Sequence, residues 1–177
     1  MNLTKRMILV IAVVVAAAIA PGRSAAKSFY VTPGFGLGSL GSSKGLAVGL
    51  SCTYRDGAPS ISARFTHTKE FEWWVSPEES ATELAVLAGL TTFGEDGASA
   101  GIHFGLGRVR STRRGAVVSW FFVHTGYEEV TTTAWGPALQ VDTFIKRVGL
   151  SFGANFNDSA TFWTLLFSIR IGNVYDE

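Results

Sequence analysis

Along most of the chain apolar residues return at every second position. Leu46, Val48, Leu50, Cys52 and Tyr54 alternate with Ala47, Gly49, Ser51, Thr53 and Arg55. Ile61, Ala63 and Phe65 alternate with Ser62, Arg64 and Thr66, and Ala98, Ala100, Ile102, Phe104 and Leu106 with Ser99, Gly101, His103 and Gly105. Leu139, Val141, Thr143 and Ile145 alternate with Ala138, Gln140, Asp142 and Phe144. A period of two marks a strand with two unlike faces. It predicts eight strands, over 28–38, 45–55, 59–69, 81–93, 97–109, 135–146, 148–157 and 162–172. The fourth, containing "ELAVLAGLTTF", is apolar on both faces for several residues.

The connections alternate as well. "RDGA" (55–58), "GEDGA" (94–98) and "KRV" (146–148) read as tight turns, the first two carrying Asp-Gly pairs. Between them lie the long segments 70–80 and 110–134, with the shorter "GSLGSSKG" and "NDSAT" on the same side. Long loops at one end and short turns at the other are the asymmetry of an outer-membrane barrel. An even strand count brings both chain ends to the turn side. Within 116–135, which is apolar and β-prone, the parity favours an extended hairpin above the membrane over a ninth strand.

The less apolar face decides what kind of barrel this is. It holds Gly, Ser, Thr, Asn and Ala, with charges appearing singly, whereas a soluble sandwich would show charges there at ordinary density. Small residues suit a narrow lumen that only side chains can fill. The predicted strands are also close to the length of a tilted membrane strand. Aromatic residues gather at segment ends: Trp73, Trp74, Trp135, Phe162 and Trp163 on the loop side, and Phe29, Tyr54, Phe93, Phe144 and Tyr175 on the turn side. Two such girdles are expected at two water–lipid interfaces. The last hairpin then places Phe152, Phe156, Leu165, Phe167, Ile169 and Ile171 toward lipid. Ser151, Gly153, Asn155, Ser168 and Arg170 face the lumen.

Composition and the first residues set the compartment. Lys5 and Arg6 precede the uncharged "MILVIAVVVAAAIA" (7–20), and Ser24 and Ala26 supply small residues before a cut. Residues 1–26 read as a cleaved secretory signal peptide and 27–177 as one outer-membrane barrel domain. Removing Lys5, Arg6 and Arg23 from 15 basic residues leaves 12 against 14 acidic ones, a net charge of −2. That balance speaks against nucleic acid as a partner. Cys52 is the single cysteine, so no intrachain disulfide can form.

The order "FYVTPGFGLGSLG … GLAVGLSCTYR … ISARFTHTKEFE … GLGRVRSTRRG … GPALQVDTFIKRVGLSFGANFN … LLFSIRIG" resembles the small porin-like outer membrane β-barrel proteins of bacteria. The resemblance covers nearly all of the mature chain. It implies an all-β fold, an eight-stranded antiparallel up-and-down transmembrane barrel in the bacterial outer membrane; it does not imply a reaction. The chain departs from that pattern at its end, where Asp176 and Glu177 follow Tyr175.

Two groups of residues are candidate sites. Arg64, Glu83, His103, Gln140, Asp142, Asn155 and Arg170 project into the lumen by parity, as a polar track or as a paired network that fills the barrel. Burial favours the network, because an unpaired charge is costly there. Arg170 should then meet Asp142 or Glu83. Arg108, Arg110, Arg113 and Arg114 cluster where the fifth strand leaves the membrane, suited to phosphates of lipopolysaccharide or to an ordinary charged loop face. Trp73 and Trp74, in "FEWWVSP", are interface anchors or a contact for a partner.

Chemistry is harder to find. His67, His103 and His124 invite a lipid A-modifying hydrolase or acyltransferase, with Ser119, His124 and Glu128 the nearest set in sequence, but their spacing is not diagnostic. No metal-ligand spacing, P-loop or dinucleotide fingerprint occurs, so no cofactor and no metal are expected. The expectation is a non-enzymatic, monomeric structural or surface-interaction barrel with a plugged lumen. Its long outer loops, 70–80 and 110–134, contact membrane lipid, lipopolysaccharide or an envelope protein. The alternatives are a lipid-modifying barrel enzyme and a soluble periplasmic lipocalin-like carrier, the latter requiring Phe and Leu inside and Ser and Gly outside.

Overall fold

Period-two alternation becomes a closed wall in the computed structural model, which describes residues 27–41, 43–71, 78–94, 97–120, 123–158 and 161–172. The predicted signal peptide (1–26), Trp73, Trp74 and Tyr175 lie outside the described residues. The strands are β1 (Lys27–Leu40), β2 (Ser43–Asp56), β3 (Pro59–Glu70), β4 (Ser80–Phe93), β5 (Ala98–Trp120), β6 (Val123–Ile145), β7 (Val148–Phe156) and β8 (Thr161–Ile169). After Arg170 the last stave resumes as the two-residue β9 (Ile171–Gly172).

Each strand pairs antiparallel with the next. β1 closes the ring by pairing β2 on one side and β8 with β9 on the other. Closure leaves no free edge through the wall, which is what an up-and-down barrel achieves. The short turns are held by positive-φ residues, Gly57 and Gly97 in two and Lys146 (φ 56°) in the third.

Residues 110–120 and 123–134 are strand, in keeping with the extended hairpin expected within this long connection. β5 and β6 run on together past the end of β4, where Ser80 pairs Thr112, in a ladder through Arg113–Val130 and Arg114–Glu129 to Trp120–Val123. The β-branched run Val130-Thr131-Thr132-Thr133 favours extended backbone, which is why this stretch pairs rather than loops. Register shifts between Arg114 and Val117 and between Val118 and Ser119 bend the hairpin as bulges do.

The two faces of the wall settle which is the inside. Outward residues are apolar and open: Phe35, Leu84, Ile102 and Phe167 are exposed, as are Val86 at 65% and Trp135 at 69%. Inward residues are polar and buried: Thr32, Ser51, Thr53, Ser62, Arg64, Thr66, Glu83, His103, Gln140, Asp142, Asn155, Thr164, Ser168 and Arg170. This is the reverse of what a lipocalin-like carrier requires, and that alternative falls.

Three predicted girdle aromatics turn inward. Phe162 is buried with Leu40, Ala81 and Val109 in an apolar cluster at the loop end. Phe144 and Phe93 lie under arginine side chains at the turn end. Phe144 shares the parity of Gln140 and Asp142, so the alternation itself carries it inside. Trp135, Phe29 and Tyr54 do face outward.

Candidate functional site: a layered lumen and a basic outer rim

Buried side chains from the inner face lie in layers across the bore. Midway up, Arg64 on β3 reaches across the barrel. Its Nε donates to Glu83 Oε2 (3.0 Å) and its Nη2 to Glu83 Oε1 (3.0 Å), a fork-on-fork pair with the neighbouring strand β4. Its Nη1 donates to the carbonyl of Leu139 at 2.8 Å and its Nη2 to that of Ala154 at 3.4 Å, both on the opposite wall. Asn155 Nδ2 adds a bond to Glu83 Oε1 (3.0 Å), and Asn157 Nδ2 donates to Asn155 Oδ1 (3.1 Å). One ion pair thus ties β3 and β4 to β6 and β7.

Glycine makes room for this layer. A Cβ on Gly153 would stand 2.7 Å from Arg64 Nη1, and one on Gly107 would stand 2.5 Å from Asn155 Nδ2 and 2.8 Å from Glu83 Oε1. The small residues of the inner face are therefore the space that the charged ones occupy.

Below it, His103 Nε2 is 2.8 Å from Ser60 Oγ, and Gln140 Nε2 donates to Asp142 Oδ2 at 2.8 Å. Asp142 Oδ2 is 3.7 Å from His103 Nδ1. Ser60, His103 and Asp142 lie side by side in the order of a hydrolase triad, which sequence spacing did not reveal. The geometry falls short of a triad: 3.7 Å is beyond hydrogen-bond reach, and Ser60 is buried against Thr91. One cavity in the bore is lined by Thr32, Ser51, Thr66, Gln140, Ser151 and Thr164, among others, and not by Ser60; at about 20 Å³ it has room for about one water. Ser119 and His124 are register partners in the outer hairpin, with side chains outside the described set.

At the turn end Arg170 is buried, its guanidinium 3.8 Å above the Phe144 ring and 4.8 Å from that of Tyr30, with Nη1 donating to Ser99 Oγ at 2.5 Å. Sequence reasoning expected Glu83 or Asp142 as its partner, but the contacts seen for those two carboxylates run to other residues. Glu83 belongs to Arg64, and Asp142 accepts from Gln140 beside His103. Arg55 completes this layer, stacked 4.3 Å above Phe93 and donating from Nε to Ser28 Oγ at 3.0 Å. Arg55, Tyr30 and Phe144 were assigned no site role by sequence reasoning, although strand parity already places all three inside.

The four-arginine cluster divides. Arg114 turns over the barrel mouth, where its side chain pairs with Glu70 and its backbone N–H donates to Glu79 Oε1 at 3.2 Å. Arg113 lies beside Gly41 in the β1–β2 turn. Arg108 and Arg110 point outward and are exposed, Arg108 between Leu84 and Trp135, Arg110 between Thr82 and Thr133. Neither meets a carboxylate among the described residues. Lys69, on the same outer rim, pairs with Glu78. No group of His, Cys, Asp and Glu among the described residues could hold a metal ion.

No family model and no curated protein matches this sequence. Solved structures do. Ail, the attachment invasion locus protein of Yersinia pestis, in complex with the heparin analogue sucrose octasulfate, is 14% identical. It superposes with a TM-score of 0.55 over 83% of this chain and 100% of its own. Neisserial surface protein A (NspA) is 15% identical, with a TM-score of 0.56 over 83% of this chain and 99% of its own. At such identities the likeness is one of fold: this chain is an eight-stranded antiparallel barrel of the outer-membrane type.

Proposed function

We propose that the protein is a non-enzymatic barrel of the bacterial outer membrane, closed to solutes, that presents the β5–β6 hairpin outside the cell. The inverted wall, apolar outward and polar inward, supports the membrane location. The single observation that carries the closed lumen is the Arg64–Glu83 pair with its bonds to the opposite carbonyls, which spans the bore at mid-height. Permeation would require breaking a buried, doubly hydrogen-bonded ion pair. The mouth above it is capped by Phe162, Leu40, Val109 and the Arg114–Glu70 pair.

Surface interaction is the remaining role for a barrel of this build. The hairpin rises past the rest of the wall, and Arg108 and Arg110, which meet no carboxylate among the described residues, offer two guanidinium groups to phosphates at the membrane surface. Fractionation should recover the protein with the outer membrane as a heat-modifiable band, and the purified barrel should give no conductance steps in planar bilayers. Recovery in the soluble periplasm overturns the location; stable conductance steps overturn the closed lumen.

A further inference from the structure

Toward the loops, the outward basic residues of the strands lie on one side of the wall. Lys44 on β2, Lys69 on β3, and Arg108 and Arg110 on β5 face outward along the loop-side rim. Around the rest of the ring, residues 150–156, 161–167 and 34–40 include no charged residue. Arg108 is the unusual member. In its row across the wall the neighbours are Leu50, Phe65, Leu84 and Trp135, all apolar and exposed. A charge on the apolar face of such a barrel is unfavourable the deeper it sits, so a partner should come from the membrane.

Directly beneath Arg108 the wall is hollowed. Cys52, Ala63, Val86 and Leu106 form the next row toward the turns, and the small Cys52 and Ala63 leave a groove of about 460 Å³ bounded by Leu84 and Trp135. That volume is within the roughly 300–1,000 Å³ of small-molecule sites. Its lining is apolar apart from arginine at its edge. Arg108 and Arg110, two residues apart on one face, stand about 7 Å from each other along the strand.

We infer that this groove seats one acyl chain of a phosphorylated, acylated outer-leaflet lipid whose phosphate is held by Arg108 and Arg110. The inference rests on the membrane reading above and deepens it, naming the class of lipid and the seat of its chain. Headgroup and chain are both needed to explain the site. A free anion would use the two arginines and leave the groove unexplained, and an uncharged lipid would fill the groove and leave Arg108 without a counter-charge. The unequal distribution of charge also predicts one bound lipid on the β2–β5 side rather than an even annulus.

Native mass spectrometry of the refolded mature barrel tests this with three probes: diphosphorylated lipid A, the same lipid dephosphorylated, and inorganic phosphate. Lipid A should be retained one to one, with the other two held at least tenfold less. Arg108→Gln with Arg110→Gln should lower lipid A retention about tenfold, and Ala63→Phe, which fills the groove on an exposed face, should lower it comparably. Heat-modifiable gel mobility establishes that each variant is folded. If Ala63→Phe leaves retention unchanged, the acyl seat is overturned while the phosphate contact stands. If the double arginine variant leaves it unchanged, the site as a whole is overturned, and the membrane reading is judged separately by fractionation.

Discussion

Arg64 on β3 and Arg108 on β5 stand on either side of β4 and point to opposite faces of the wall. Arg64 points into the bore, where Glu83, two backbone carbonyls and glycine on the far strand were needed to admit it. Arg108 points outward between Leu84 and Trp135 with no carboxylate near it among the described residues. The same side chain is therefore enclosed by partners from its own chain in one place and open on the outer face in the other. Solvation explains the difference: an enclosed charge must find its partner within the chain, whereas an exposed one can take it from the surroundings.

Breaking the inner pair should have the largest effect. Glu83→Gln leaves the Arg64 guanidinium buried opposite a neutral amide, and loss of one partner of a buried pair costs about 3–5 kcal/mol. Urea unfolding of the refolded barrel in lipid vesicles, followed by tryptophan fluorescence, should register that loss. Replacing both partners, Arg64→Met with Glu83→Leu, should restore most of it, because the cost comes from the stranded charge. A single variant that proves neutral would mean that Arg64 is solvated, and the contrast with Arg108 would vanish.

A smaller effect should come from the space around the pair. Gly153→Ala places a methyl group 2.7 Å from Arg64 Nη1, and the guanidinium cannot swing aside without releasing Glu83 or the Leu139 carbonyl. Overpacking of this kind costs about 1–3 kcal/mol. The diagnostic result is a cycle: in the Arg64→Met background the same methyl group should cost much less. Equal costs in both backgrounds would show that Gly153 is required by its backbone and not by Arg64.

Alternation made the faces legible and little else about the interior. Each of the predicted lumen residues (Arg64, Glu83, His103, Gln140, Asp142, Asn155 and Arg170) is buried within the bore, since a period of two allows only two orientations. Partner choice was another matter. Arg64 meets Glu83 because Glu83 is opposite Thr66, the next inward residue, a diagonal set by the β3–β4 register. That register is joined through the long 70–80 segment, so no tight turn announces it. Arg170 met aromatic rings for a related reason: Phe93 and Phe144 were read as girdle residues and Tyr30 was given no role, until the barrel brought their faces to one height. The extent of β5 and β6 beyond the wall was partly visible, as an expected hairpin within 110–134, because β propensity can show that a segment will pair but not how far the ladder extends.

The outer arginine gives the smallest and most informative change. In phosphatidylcholine vesicles Arg108→Leu should alter the unfolding free energy by less than about 1 kcal/mol, and in the stabilising direction, since a basic residue on the outward face near the interface costs about 0–1 kcal/mol. In vesicles containing phosphorylated lipid A the sign should reverse, because the wild-type guanidinium then has a counter-charge and the leucine has none. Two lipids thus separate a residue that the fold needs from one that the membrane uses. A loss above about 2 kcal/mol in phosphatidylcholine would place Arg108 with Arg64, among charges held by the chain itself, and would require a protein partner for it outside the described residues.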